Sequence, residues 1–228
     1  MIGDSASLAR SDLAEARGLA ERFGLNLREV KPLELENPAY RANPVDRCYH
    51  CKSELFGLME KLCQDEGWRT ILDGYNRDDD GDYRPGRKAA GERAVKSPLS
   101  EAGFGKKEVR LLARAWGLPN WDKPAAPCLS SRFPYGTAID AEKLSRVERA
   151  EAFLRGLGLR EFRVRFHEAM ARIEARPEDF PRLLEARAEL TVAFRGFGFK
   201  DTVLDLTGFR SGSINEGLPG PLGGPAKS

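Results

Sequence analysis

Two cysteines three positions apart, Cys48 and Cys51, stand in the run Asp46-Arg47-Cys48-Tyr49-His50-Cys51-Lys52. Such a pair at the mouth of a helix gains from the helix dipole, which favours thiolate, the form that binds iron or zinc and attacks electrophiles. Two thiols are half of a closed zinc site, so the pair alone also fits two small side chains at a helix start. A third cysteine, Cys128, lies in Pro127-Cys128-Leu129-Ser130-Ser131-Arg132, inside a stretch broken by Pro119, Pro124, Pro127 and Pro134. A loop thiol beside a fixed cation is expected to be reactive; the plainer reading is a structural loop cysteine. Three such thiols could hold three irons of a cubane cluster and leave the fourth open for an added sulfide. Cys63, at an apolar helical position, is expected in the core.

Charged groups offer further chemistry. The loop from Asp73 through Gly74, Tyr75, Asn76, Arg77, Asp78, Asp79 and Asp80 follows an apolar segment. Its carboxylates could hold Mg²⁺ beside a nucleotide, or simply be a solvated loop. Tyr83-Arg84-Pro85-Gly86-Arg87 then adds two cations that could face an anion or balance the aspartates. Arg163 and Arg165, two apart on a predicted strand, point to one face and make a natural phosphate clamp; the alternative is a charged strand edge. Glu148 and Glu151 lie about one helical turn apart, and one of them could orient an arginine of that clamp. His50 and His167 carry no signal for a base.

These groups need elements to hold them. Apolar spacing and stop signals predict helices over 5–23, 52–66, 88–93, 106–116, 140–157 and 177–194. Asp140 is the expected N-cap of the fifth. Strands are predicted over 25–30, 69–72, 162–166, 171–175 and 202–206, with an extended segment at 96–99 and loop over 37–46. Alternating helix and strand in the first half argues for a parallel α/β layer whose strand ends carry the site. The second half reads as a small α+β unit.

Bulk properties narrow the classes. The chain has 228 residues, 41% of them hydrophobic, enough for a buried core. Its 37 basic and 35 acidic residues leave a net charge of +2, interleaved rather than striped, which argues against a nucleic-acid partner. No apolar run approaches a membrane span and no signal core follows the N-terminus, so the expected location is the cytoplasm.

The motifs NPxDRCYxCK, DGxNxDDxxDYRPG, SPLxEAG, WDKPAxxCLxSRxPYG, RVRxH, ARIE and DLxGxRSGSxNE occur in this order between about Asp4 and Glu216. As an ordered set they resemble the LarE-type sacrificial sulfur transferases of the PP-loop ATP pyrophosphatase superfamily. That resemblance implies an enzyme that uses ATP and Mg²⁺ to adenylate the carboxylates of pyridinium-3,5-biscarboxylic acid mononucleotide. It then installs sulfur, for the nickel-pincer nucleotide cofactor of lactate racemase. One form of the family surrenders the sulfur of its own cysteine, leaving dehydroalanine; another carries three cysteines and a [4Fe-4S] cluster. Cys48, Cys51 and Cys128 match the second form, as catalytic and cluster-binding residues. Ser131, Arg132, Glu151, Arg163 and Arg165 fall at substrate-binding positions, and Asp73, Asn76, Asp78 and Asp79 at nucleotide and Mg²⁺ positions. A homo-oligomer is expected, with partner proteins of nickel-pincer cofactor synthesis. The competing readings are a PP-loop tRNA thiolation enzyme and an inactive metal- or sulfur-carrying relative.

The implied fold is an α/β, parallel-sheet PP-loop (adenine nucleotide alpha-hydrolase-like) domain over 1–135, N-terminally truncated. A smaller α+β domain for substrate binding or oligomerisation covers 136–217, and a disordered tail 218–228. The superfamily's Ser-Gly-Gly-x-Asp-Ser loop, whose backbone amides cradle pyrophosphate, has no match in this sequence. The chain is expected to start near the family's second strand, through a misassigned start or a true truncation. These 228 residues alone are accordingly expected to release little pyrophosphate from ATP.

Overall fold

A computed structural model of the chain describes residues 1–80, 84–210 and 212–215. Tyr83, Glu216 and the 218–228 tail, singled out above, lie outside the described residues.

The first half is mainly helical. β1 (Ile2–Gly3) pairs in parallel with β2 (Glu29–Val30) across α1 (Arg10–Phe23). α1 ends at Gly24, which adopts the left-handed φ of 62° that glycine takes without penalty. The helix begins five residues later than its apolar spacing predicts. Residues 5–8 form a turn instead, with Leu8 N–H bonded to Ser5 and the Ser7 carbonyl taken by Leu129 N–H at 2.8 Å. The predicted strand over 25–30 shortens to the two residues of β2.

Residues 37–46 are not all loop. Asn37 caps α2 (Pro38–Arg41), a single turn with proline at its permitted first position. α3 (Arg47–Glu66) starts five residues before the predicted 52, which moves both cysteines of the CxxC pair inside the helix. α4 (Gly86–Glu92) follows the acidic loop. The expected strand over 69–72 and the extended segment at 96–99 meet only in an isolated parallel bridge, Leu72 with Lys96. After that bridge Pro98 opens α5 (Pro98–Glu101), and α6 (Lys106–Ala115) follows where helix was predicted. Parallel pairing is therefore present but short. Phe56, Ile71, Ala89, Ala90 and Val95 form a small core here, with Cys63 packed against it as expected.

The second half matches prediction more closely. Asp140 accepts the Lys143 N–H at 2.8 Å and caps α7 (Ala141–Gly156). That helix buries Leu144, Val147, Ala150, Glu151 and Leu154 at helical spacing. β3 (Phe162–His167) and β4 (Met170–Ala175) form an antiparallel hairpin, and β5 (Asp201–Leu204) joins β4 in parallel. The predicted helix over 177–194 is instead a 3₁₀ turn, α8 (Phe180–Glu185) and α9 (Arg187–Gly196), broken at Ala186. Phe162, Val164 and Phe166 face the main core, which also takes in Leu129, Phe133 and Ile139. The alternate residues Arg163, Arg165 and His167 face the other side. Among the described residues no helix is long and apolar enough to cross a membrane.

Candidate functional site

The structure brings the three predicted thiols into one neighbourhood. Cys48 is the second residue of α3 and Cys51 lies one turn on, so both share a helix face. Cys128 precedes the 3₁₀ turn Leu129–Arg132. Buried groups pin that turn to the start of α3. Arg47, 3% exposed, donates to the Ser130 carbonyl at 3.1 Å and to the Asn43 side chain. The Tyr40 hydroxyl lies 2.6 Å from Ser130 Oγ. Ser131 Oγ and Arg132 Nη1 both donate to the Cys128 carbonyl, at 2.8 and 3.2 Å. All four cysteines are free thiols.

Electrostatics confirm the proximity and correct one expectation. The pair was expected to favour thiolate; instead both thiols are pushed up. Burial lifts Cys51 to about 12, with charge on Cys128 next and on Glu34 after it. Cys48 is also raised, by desolvation and then by Cys128, while Arg47 pulls it back. Cys48 is exposed and Cys51 half-buried. At Cys51 burial outweighs the helix dipole, which acts within the first turn, before that residue. Among the described residues, no group of three His, Cys, Asp or Glu side chains is arranged around a single metal ion.

The arginines form an adjoining layer. Arg132, 4% exposed, makes a bidentate pair with Glu151 at 2.8 and 2.9 Å. Glu151 Oε1 also accepts the Val164 N–H at 3.1 Å, tying α7 to β3. Of the two glutamates weighed above, Glu151 is thus the one that orients an arginine, though that arginine is in the 3₁₀ turn. Glu148 accepts the Arg10 N–H instead. Arg165 donates to Glu174 at 2.9 Å, to the Ser131 carbonyl at 2.8 Å and to Ser213 at 2.6 Å. Arg163 reaches only carbonyls, Phe162 at 2.6 Å and Ala125 at 2.8 Å, and packs on the Phe209 ring. Desolvation, then the charges of Arg132 and Arg165, bring Arg163 down to about 10. Arg132, Glu151 and Arg163 line a cleft of about 180 Å³ beside α1 and the 123–126 segment.

The acidic loop is committed to local structure. Asp73 accepts from Tyr75 N–H at 3.1 Å and Ser97 Oγ at 2.7 Å. Asn76 and Asp79 cap each other's turn, and Asp79 pairs with Arg84 at 2.6 Å. Asp78 Oδ2 accepts the Lys106 N–H at 2.8 Å, at the start of α6. His50 sits 4.0 Å from Asp46. Burial and then Arg172 hold His167 below the ordinary imidazole range.

Several contributors escaped the sequence reading. Arg47 stands inside the cysteine motif but reads there as one more surface cation. Glu34, 2% exposed, accepts from Ser7 at 3.0 Å and keeps its second oxygen buried without a partner. A polar group so placed costs roughly 1–3 kcal/mol. Its only sequence signal is position, one glutamate between two leucines in Pro32-Leu33-Glu34-Leu35.

No protein-family model matches the chain. It is 47% identical to an uncharacterised protein of Synechocystis sp. over 216 residues, covering 94% of this chain and 81% of that one. It is 37% identical over 221 residues to the pyridinium-3,5-bisthiocarboxylic acid mononucleotide synthase of Lactiplantibacillus plantarum, covering 96% of this chain and 79% of that enzyme. An uncharacterised protein of Methanocaldococcus jannaschii is 30% identical over 192 residues, 84% of this chain and 73% of that one.

Proposed function

The chain belongs to the LarE-type family of sulfur transferases, and from that premise we propose that it installs sulfur on the carboxylates of pyridinium-3,5-biscarboxylic acid mononucleotide. The observation that carries the reading is the docking of the Cys128 turn onto α2 by Tyr40 and onto α3 by Arg47, beside the Arg132–Glu151 pair. It sets sulfur next to a buried arginine and its carboxylate partner. The family implies ATP, which converts a carboxylate oxygen into the leaving group AMP. A sulfur at the thiol site then forms the C–S bond, the C–O bond to AMP breaks, and AMP departs with that electron pair. Arg132, Arg163 and Arg165, with Ser131, hold the nucleotide, and preorganised cations lower the cost of the charge that develops on the carbonyl.

Sulfur delivery through a [4Fe-4S] cluster is part of the same reading. Cluster ligands attach to separate irons, so they need a shared cavity rather than a shared point. Cys48, Cys51 and Cys128 are the thiols that would hold the group, through deprotonated sulfur; their support is the electrostatic coupling of Cys128 to both helix thiols. Bound there, it would supply an added sulfide. Magnesium on Asp73, Asn76, Asp78 and Asp79 rests on the family resemblance, because each side chain already serves the loop. The division at residue 135 is supported by the two separate cores, although Leu129 and Phe133 pack with the second. Homo-oligomerisation, partner proteins and a cytoplasmic location belong to the proposal as family expectations.

Two half-reactions separate the parts. Pre-formed acyl adenylate is supplied with a sulfide source to the anaerobically reconstituted protein, and thiocarboxylate is followed by mass spectrometry. Formation that is lost in Cys128→Ala is the expected result. No thiocarboxylate from the adenylated substrate would overturn the assignment, whatever the outcome with ATP.

A further inference from the structure

One buried acid in the thiol neighbourhood is left unused by the reading above. Glu34 opens the 3₁₀ turn Glu34–Glu36, which packs on α2 and α3. It is 2% exposed, and its Oε2 is buried with no hydrogen-bond partner among the described residues. Buried carboxylates are ordinarily paired, and one left with an unused oxygen costs stability. Such costs collect at functional positions.

The other oxygen shows what the acid holds. Oε1 accepts the Ser7 hydroxyl at 3.0 Å, and Ser7 is itself 4% exposed. The Ser7 carbonyl in turn accepts the Leu129 N–H at 2.8 Å. That N–H belongs to the peptide group joining Cys128 to Leu129. The carbonyl of the same group takes Ser131 Oγ at 2.8 Å and Arg132 Nη1 at 3.2 Å. A peptide group is planar, so fixing its two ends fixes the backbone torsion beside Cys128. Arg47 and Tyr40 act further on, at Ser130. Ser7 is thus the contact made directly beside the thiol residue, and Glu34 ties it to the turn packed on α3. The charge on Glu34 is felt at Cys51, after burial and Cys128, so the carboxylate stands close to the helix thiol.

We propose that Glu34 is a positioning residue for Cys128: through Ser7 it sets the Cys128–Leu129 peptide plane and so keeps the third thiol in reach of the two on α3. This rests on the shared thiol pocket proposed above. It gives a role to a buried acid that packing alone does not explain.

Thiol bridging in the full chain tests it. The protein is treated with dibromobimane, a short reagent that joins two thiols, and bridged peptides are quantified by mass spectrometry. Cys48 and Cys51 share one helix, so their bridge is an internal reference; the ratio of the Cys51–Cys128 bridge to it reads the position of the turn. Glu34→Leu removes the acceptor of the Ser7 hydroxyl, whereas Glu34→Gln keeps one. Both variants lose the charge that raises Cys51, so any change in its reactivity is common to them. The ratio is expected to fall about tenfold in Glu34→Leu, the scale of one lost hydrogen bond to a charged group, and to stay within about threefold of the parent in Glu34→Gln. Ser7→Ala should follow Glu34→Leu. The melting temperature of Glu34→Leu should not drop, because the variant no longer buries a carboxylate oxygen without a donor. An unchanged ratio in Glu34→Leu, equal falls in the two Glu34 variants, or a ratio that falls only with the melting temperature would overturn the proposal. Absence of the Cys51–Cys128 bridge in the parent would instead remove the shared thiol pocket itself.

Discussion

Removing the carboxylate of Glu151 should cost far more than its single ion pair suggests. Glu151→Ala leaves the Arg132 guanidinium buried, its side chain 4% exposed, without its counter-ion. Breaking a buried pair from one side costs roughly 3–5 kcal/mol. The Val164 N–H, inside β3, also loses its acceptor, at roughly 1–3 kcal/mol if nothing replaces it. These losses overlap, so about 4 kcal/mol is expected, a large part of a typical stability of about 5–15 kcal/mol. The double variant Arg132→Met/Glu151→Leu removes both charges and should cost at most about half as much, because no charge is stranded. Urea unfolding at neutral pH, followed by tryptophan fluorescence and far-UV dichroism, gives both numbers. A Glu151→Ala cost below about 1 kcal/mol, or a double variant as unstable as the single, would refute the reasoning.

Alkali provides two tests. Cys51, near 12 when folded against the ordinary 9.0, holds its proton more tightly in the native state. Its contribution to stability is complete below pH 9 and is lost as pH rises from 9 towards 12, so Cys51→Ala should flatten the alkaline limb of a melting-temperature profile. Arg163, near 10 when folded, should lose charge as pH passes 10, so nucleotide affinity should fall there, and Arg163→Gln should remove that fall. Gly208 has φ +81° and a Cβ there would sit 3.2 Å from the Ala175 carbonyl. Gly208→Ala is expected to cost roughly 1–2 kcal/mol in thermal unfolding. Arg47→Met should free the 128–132 turn and speed proteolysis within it, since the Ser130 carbonyl loses its 3.1 Å donor.

Legibility in the sequence followed how local the determinant was. The α7–β3–β4 unit could be read because its signals are near in sequence: an Asp140 cap, a helical apolar stripe and alternation along each strand. The start of α1 could not, since it is set by Leu129 reaching back to the Ser7 carbonyl. The start of α3 was displaced in the same way, because Arg47, Cys48 and Cys51 are polar or small and show no apolar period. Helix 177–194 split at Ala186, where the sequence carries no breaker. At the site, Arg132, Arg163 and Arg165 were visible as types at spacings, but their partners were not. That Glu151 grips Arg132 rather than a strand arginine depends on how α7 packs. The raised thiols are not legible in the sequence, because helix-end electrostatics are local while burial and the charge of Cys128 depend on packing.

The tie between Tyr40 and Ser130 spans 90 residues of sequence, and that between Arg47 and Ser130 spans 83. Contacts so far apart in sequence carry the loop-closure entropy of the chain between them, and a fold that depends on them folds more slowly. A chain in which the 128–132 turn has come away from α3 carries the CxxC pair without the third thiol. Any change that loosens either tie, even far from the thiols in sequence, therefore reaches the position of Cys128.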